Sequence, residues 1–402
     1  MPSQMQITGI VAEYNPFHNG HRWQVQEARR AGATHLVAVI SGNFLQRGGP
    51  ALLDKRVRAA AALAGGVDLV LELPLPYACA TAQRFAWGGV AVLDALGCVD
   101  ALSFGSEAGD LAPLTRLAAL LDAPELEEAL APQLATGATF AAARQQAVAR
   151  LAGEETAGLL ASPNNILGVE YLRQLRRLGS AITPQTVARR GADYHQATPG
   201  QEGMASATYL RGLAHREDWS AMAPYMPGES HTLLRQAARE GQLAHPQRME
   251  LPLLGKLRTM TLEEFQRLPD LSEGLEHRLY RAARQGGSLQ EVLTLAKTKR
   301  YSLARLRRLL LAAWLGLEEG MNTPPPAAIR VLGMNTRGAQ VLARAKETAT
   351  LPLSHSPARL ARTGPRAAQL AELEARSVDL FQLLTDRPKP CGWDYTAGLV
   401  KF

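Results

Sequence analysis

Cysteine is scarce in this sequence. Its three copies, Cys79, Cys98 and Cys391, lie far apart and match neither a zinc-ligand spacing nor a disulfide framework. A reducing cytoplasm is therefore the expected compartment. Long apolar runs are missing as well. The longest candidate, Ala59 to Leu73, is interrupted by Gly65, Gly66, Asp68 and Glu72, so no membrane span is expected. The start, Met1-Pro2-Ser3-Gln4, lacks the basic patch and apolar core of a signal peptide. No G-x-G-x-x-G and no Walker A motif occurs, which argues against the dinucleotide-binding and P-loop forms of an α/β fold. No internal repeat, carboxylate pair or metal-ligand cluster stands out.

What is present is enough material for two or three domains: 402 residues, of which 46% are hydrophobic. Charge is uneven. The net +7 comes entirely from residues 206–402, while residues 1–205 are slightly acidic. Attraction for a polyanion therefore resides in the second half.

The densest chemistry lies near the start. Gln6 to Ala12 reads as a short apolar strand, ended by Asn15-Pro16 because proline cannot donate to a sheet ladder and restricts the residue before it. From His21 the pattern turns helical, with Trp23, Val25, Ala28 and Ala31 available for one face. Between them sits His18-Asn19-Gly20-His21, an H-x-G-H tetrad at a strand-to-helix turn. A helix N-terminus exposes N–H groups and attracts phosphate. Gly20 leaves room for a phosphate to approach the backbone, and His18 and His21 can donate hydrogen bonds to phosphoryl oxygens and stabilise growing charge.

Strand-like and helix-like segments alternate from there. Strands are expected at 36–41, 67–72, 101–104 and 182–188, with helices from Asp54 to Leu63 and Thr81 to Leu96. This alternation predicts an α/β fold, a parallel sheet with a ligand crevice at the strands' C-terminal ends. His18, Asn43, Arg47 and Gly105 all follow expected strands and so share one rim. Residues 110–160 read as helices without strands, a helical insertion. A helix opened by Ser162-Pro163-Asn164-Asn165 follows, and the strand ending at Ala188 delivers Arg189 and Arg190 to its end, followed by Asp193-Tyr194-His195. Ser206 can cap the next helix, and Ser206, Thr208 and Arg211 can together hold a phosphate at its N-terminus.

The sheet domain is expected to span residues 1–222, and a mostly helical, basic second domain residues 223–402. Within the latter, residues 278–308 hold nine Lys/Arg against a single acid, Glu291. RNA binding is the reading favoured for this segment, carried by Lys297, Lys299, Arg300, Arg305 and Arg308, with Tyr301 placed to stack on a base. Thr323-Pro324-Pro325-Pro326 marks a break, and Ile329 to Leu332 a short strand.

The tetrad together with Ser206-x-Thr208-x-x-Arg211 resembles the two phosphate-gripping motifs of the nucleotidyltransferase superfamily. More closely, the chain resembles the bacterial tRNA(Met) cytidine acetate ligase family. The matching stretches are 11–21, Ser41-Gly42-Asn43-Phe44-Leu45-Gln46-Arg47-Gly48, Gly66 to Pro74, Phe104-Gly105-Ser106-Glu107, Pro163 to Gly168 and Lys297-Thr298-Lys299-Arg300-Tyr301. Ser162 departs from the family pattern, where lysine is expected, and so does Arg190, where an aliphatic residue is expected. The resemblance implies a nucleotidyltransferase-like sheet domain and ATP bound by Ile10, Val11, Ala12, Glu13, Tyr14, Asn15, Pro16, Phe17, His18, Asn19, Gly20 and His21. It adds Gly105, Asn164 or Asn165, and Arg189, with Arg190 beside them. It also implies activation of acetate as acetyl-adenylate, with transfer to the wobble cytidine of elongator tRNA(Met). Mg²⁺ is the expected companion of ATP. His18 and His21 are assigned to charge on the phosphates, and Lys55 and Arg58, one turn apart, can face the acyl or phosphate site. tRNA and acetate are the expected partners, with no role for DNA or a membrane.

Two other classes fit parts of the sequence. One is a nucleotidyltransferase forming a dinucleotide-type cofactor, whose small substrate would need no extended positive surface. The other is a non-enzymatic RNA-binding protein, against which both intact phosphate-gripping motifs argue.

Overall fold

The computed structural model describes residues 5–189, 203–272 and 274–402. An eight-stranded sheet organises it. Its strands are β1 (Ile7–Ala12), β2 (His35–Ser41), β3 (Leu69–Leu73), β4 (Ala101–Ser106), β5 (Thr183–Ala188), β6 (Ile329–Met334), β7 (Leu353–Ser354) and β8 (Val400–Lys401). The spatial order is β8-β6-β3-β2-β1-β4-β5, with β7 paired to β6 off this path. Strands β3, β2, β1, β4 and β5 run parallel, whereas β6 is antiparallel to β3.

Both faces of the sheet are covered, and the alternation along β2 shows why the strands are apolar throughout. Val37 and Val39 enter one core with Phe85, Leu93, Leu102 and Tyr171, beneath helices Ala82–Ala95 and Pro163–Leu178. Leu36, Ala38 and Ile40 enter the other with Phe17, Val25, Ala59 and Ala62, beneath helices Asn19–Arg30 and Lys55–Ala64. A period of two therefore carries apolar residues to both sides. The expected insertion is present as helices Leu111–Leu120, Pro124–Ala135 and Phe140–Gly158 between β4 and β5.

The chain order differs from the sequence reading in one respect. The strand expected at 329–332 forms, but it joins the main sheet: Val70 registers with Gly333 and Glu72 with Arg330. The helices from Gly228 to Leu315 thus lie between β5 and β6 of one sheet, and the 222/223 boundary does not separate sheet from helices. Phe44 and Leu75 also pack into the helical core with Leu306, Leu310 and Phe381. Among the described residues, no helix is long and apolar enough to cross a membrane.

Candidate functional site

Strand order places the crevice. The chain runs from β1 outward to β2 and β3, then returns to the other side of β1 for β4 and β5. The carboxyl ends of β1 and β4 therefore flank a topological switch point, where α/β sheets bind ligands. The tetrad follows β1 and Gly105 is the penultimate residue of β4, so both motifs open on the same crevice.

Local hydrogen bonds fix the tetrad. His18 is the N-cap of helix Asn19–Arg30, and its Nδ1 accepts from the Gly20 N–H at 3.0 Å. The His18 N–H in turn donates to Nδ1 of His21 at 3.2 Å. Each Nδ1 is thus an acceptor, so a neutral ring carries its proton on Nε2 and keeps that N–H as its donor. The two rings stack at 3.9 Å, with Tyr14 edge-on to His21 at 4.9 Å. A Cβ on Gly20 would lie 2.9 Å from Cε1 of His18, so a side chain there would push the imidazole out of place. Burial, reinforced by the charges of Arg189 and Arg211, pulls the His18 pKa down to about 3. Burial, then His18 and Arg189, hold His21 well below its ordinary value. Both rings are neutral donors at physiological pH, and a bound anion would favour the charged form.

The second motif meets the first. Ser206 caps helix Ala207–His215, accepting from the Tyr209 N–H at 3.1 Å. Arg211 donates from Nη1 to the Asn15 carbonyl at 2.9 Å and from Nη2 to Thr208 Oγ1 at 3.0 Å. Burial and the neighbouring Arg47 lower its pKa to about 10, against the pull of Glu13, so it stays cationic. Asn19 closes the contact from the tetrad side, donating to the carbonyls of Gly203 and Pro224, each at 3.0 Å.

The other expected ATP residues divide by exposure. Val11, Ala12, Glu13, His18, Asn19, Gly20 and His21 are partly exposed. Ile10, Tyr14, Asn15, Pro16 and Phe17 are buried, and Asn15 Oδ1 accepts from the Leu52 N–H at 2.7 Å. These five can offer a ligand little beyond backbone. Asn164 donates to Glu107 Oε1 at 2.6 Å, the Asn165 N–H donates to Oε2 at 2.8 Å, and Asn165 Oδ1 accepts from Ala108 at 3.0 Å. The pair holds the loop after β4 against helix Pro163–Leu178. Glu107, quoted above only within a matching stretch, is the residue that makes this possible. Ser162 precedes that helix as its N-cap residue without a side-chain bond to it. Arg189 is anchored through its N–H to the Ser106 carbonyl at 3.1 Å. Arg190 and Asp193-Tyr194-His195 lie outside the described residues.

Lys55 and Arg58 require correction. Lys55 is 0% exposed, with Nζ 2.6 Å from Glu72 Oε1 and 3.1 Å from Asp394 Oδ1. Arg58 is 1% exposed and spends its guanidinium on the carbonyls of Leu53, Glu13, Ser41 and Gly42. Neither faces the crevice. They join the ends of β1, β2 and β3 to the helix that carries them. Arg330 and Asp394, distant in sequence from both, complete this network and left no local sequence signal.

The basic segment is partly spoken for as well. Tyr301 is buried, so it cannot stack on a base. Arg305 donates to the Asp270 carbonyl at 2.6 Å, and Arg308 to its carboxylate at 3.3 Å. Lys297, Lys299, Arg300 and Arg307 remain exposed. Among the described residues, no group of three His, Cys, Asp or Glu side chains could hold a metal ion. Mg²⁺ would travel with the triphosphate, held chiefly by phosphate oxygens and water.

Comparison with known proteins adds to this geometry. Residues 5–392 match the model of the HIGH Nucleotidyl Transferase family. The tRNA(Met) cytidine acetate ligase of Bacillus subtilis is 38% identical over 360 residues, covering 87% of this chain and 86% of that protein. That of Syntrophotalea carbinolica is 39% identical over 402 residues, covering 94% of each. The crystal structure of Thermotoga maritima TmcAL bound with alpha-thio ATP superposes with a TM-score of 0.91 at 32% identity, covering 99% of this chain and all of that one.

Proposed function

The chain belongs to the HIGH Nucleotidyl Transferase family and, within it, to the tRNA(Met) cytidine acetate ligases, and from that premise we propose that it acetylates the wobble cytidine of elongator tRNA(Met) through acetyl-adenylate. The observation that carries the reading is the junction of the two phosphate motifs, where Arg211 holds the carbonyl of Asn15 beside the histidine tetrad. Neutral His18 and His21 on one side, and Ser206, Thr208 and Arg211 on the other, grip the β- and γ-phosphates as a unit. That makes pyrophosphate the stabilised leaving group.

An acetate oxygen attacks the α-phosphorus, the bond to the bridging oxygen breaks, and pyrophosphate departs. The exocyclic amine then attacks the acetyl carbonyl, AMP leaves, and the amine nitrogen loses a proton. Mg²⁺ would supply charge neutralisation on the triphosphate. No covalent enzyme intermediate is required. Consistent with that, Cys79 and Cys98 are buried, and burial pushes both thiols up, away from the nucleophilic thiolate. Chromatography of labelled ATP after incubation with acetate and tRNA tests the route. AMP with pyrophosphate is expected, and ADP as the stoichiometric product would overturn it.

A further inference from the structure

One carboxylate stands among the cations of the crevice. Glu13 follows β1 directly and is half-buried at the strand's carboxyl end. Its charge reaches both flanks. On the side of the second phosphate motif it supports the cationic form of Arg211, against burial and Arg47. On the side of helix Pro163–Leu178, burial and then the charge of Glu13 push the Tyr171 hydroxyl up. A negative charge there opposes a triphosphate, so phosphate recognition does not account for it.

The carboxylate is held in place. The Glu13 carbonyl accepts from Nη1 of buried Arg58 at 2.6 Å, and Glu13 Oε1 accepts from the Gln46 N–H at 3.1 Å. The loop that supplies Gln46 is pinned on both sides of it. Asn43 donates to Asp54 at 3.1 Å and accepts from the Lys55 N–H at 2.7 Å. Gly48 adopts φ 81, and a Cβ there would lie 2.6 Å from the backbone carbon of Arg307, in helix Leu303–Leu315. Only glycine permits both that conformation and that approach. Among the described residues, no group donates a hydrogen bond to Oε2 of Glu13.

Acetyl transfer needs a proton acceptor in this place. The exocyclic amine must lose a proton as the amide forms. The acetyl carbonyl of the adenylate is one oxygen away from the α-phosphorus, between the grip on the outer phosphates and the nucleoside flank at Gly105. The acceptor must therefore stand near the end of β1. Neighbouring groups are committed elsewhere. His18 and His21 use Nδ1 as acceptors and keep their protons on Nε2. Glu107 gives its two oxygens to Asn164 and Asn165, and Asp54 gives its two to Asn43 and the Arg56 N–H.

Resting on the acetyl-transfer reading above, we propose that Glu13 is a catalytic base and that its Oε2 takes the proton of the cytidine amine. The nitrogen lone pair forms the bond to the acetyl carbon, and the carbon–oxygen bond to AMP breaks. The N–H electron pair stays on nitrogen as the proton passes to Oε2, and water later receives it. Nitrogen bonded to the acetyl carbon is cationic and strongly acidic, so a carboxylate is a sufficient base.

Glu13→Gln keeps the size of the side chain and an Oε1 acceptor for Gln46 while removing the base. The test compares it with Glu13→Asp in two assays. One is acetate-dependent ATP–pyrophosphate exchange without tRNA, and the other is acetyl transfer over a range of tRNA(Met) concentrations. For Glu13→Gln, kcat for transfer should fall at least about a hundredfold more than exchange falls, with the KM for tRNA little changed. Glu13→Asp, which keeps a carboxylate on a shorter stem, should recover part of that kcat. An equal fall in exchange and transfer would assign Glu13 to ATP or acetate and overturn the proposal. A raised KM for tRNA with kcat retained, or wild-type kinetics in both assays, would overturn it too. If the wild-type protein gave no exchange, the acetyl-adenylate reading would fail instead. The amine must lose its proton whatever the acyl donor, so the single-turnover transfer rates of the two variants would still decide Glu13.

Discussion

Two clusters of charge sit along the same rim of the sheet, built from the same residue types and put to opposite uses. Around β1 and β4, the charges of Arg189 and Arg211 bear on the tetrad, Glu13 offsets that of Arg211, and the neutral histidines keep Nε2 as their donor. Around β3 and β6, Lys55, Arg56 and Arg330 meet Glu72 and Asp394 in a nearly closed, buried network. The first cluster is cationic and partly open, so it is ready for an anion. The second sets three cations against Glu72, Asp394 and, 3.9 Å from Arg56, Asp54, and it is sealed, so it fastens four segments of chain. Balance and exposure, rather than residue identity, separate a binding site from a clamp.

Breaking the sealed cluster should have the largest effect. Lys55→Met leaves Glu72 and Asp394 without their ammonium in a dry site, a loss of about 3–5 kcal/mol for one partner of a buried pair. Urea unfolding of the variant should show that loss. A drop below about 1 kcal/mol would mean that the network is hydrated and the contrast between the two clusters is overstated. The open cluster should respond the other way. His18→Ala removes one preorganised donor and should cost about 2.7–4 kcal/mol of transition-state stabilisation, with stability falling only by the about 1 kcal/mol of a lost helix cap. Gly20→Ala sharpens the point, because it keeps both histidines and only displaces the His18 ring. Its rate of adenylation should fall between those of His18→Ala and wild type. A wild-type rate for His18→Ala would remove the tetrad from the chemistry.

The sequence made some of this legible and hid the rest for physical reasons. The strand-turn-helix around His18 is local, so apolar patterning, a proline stop and a glycine sufficed to place it at the sheet's rim. Ser206, Thr208 and Arg211 were likewise readable as a helix start, though nothing local said that Arg211 would reach Asn15. Lys55 and Arg58 looked like site residues because one helical turn separates them. What decides their role is burial against Glu72, Asp394 and strand carbonyls, a tertiary property. Tyr301 differs from expectation for the same reason: an aromatic among basic residues reads as a stacking platform, but here it packs inward. Gly48 carried no signal beyond its motif, since its requirement comes from a helix backbone far along the chain.

A smaller effect should come from Glu374, which sits beside the sealed network. Burial, then the charge of Glu72, push its pKa up to about 8, despite the opposing pull of Lys55. A carboxyl raised in the folded state contributes stability that is complete below its unfolded value near 4.5 and is lost as pH rises through the folded value. Stability should therefore fall from pH 7 to pH 9 by on the order of 1 kcal/mol from this group. Glu374→Gln should flatten that stretch of the profile. An equally steep alkaline loss in the variant would assign the pH dependence to another group.

The smallest effect belongs to the exposed basic surface, and it extends the contrast to a third setting. Lys297, Lys299 and Arg300 are exposed, whereas Arg305 and Arg308 bind Asp270. Exposed cations contribute to RNA affinity chiefly by releasing condensed counterions, so their effect is read in the salt dependence rather than at a single salt concentration. Replacing Lys297, Lys299 and Arg300 together with serine removes up to three contacts. At roughly 0.7 per single-strand contact, the slope of log affinity against log salt should become shallower by about 2. The variant should separate most from wild type at low salt and converge with it at high salt, while its ATP affinity holds. Arg305→Gln should act differently: it leaves the Asp270 carbonyl without its donor, so stability should drop while the slope changes little. If the triple variant kept the wild-type slope, the RNA would have to bind on another face.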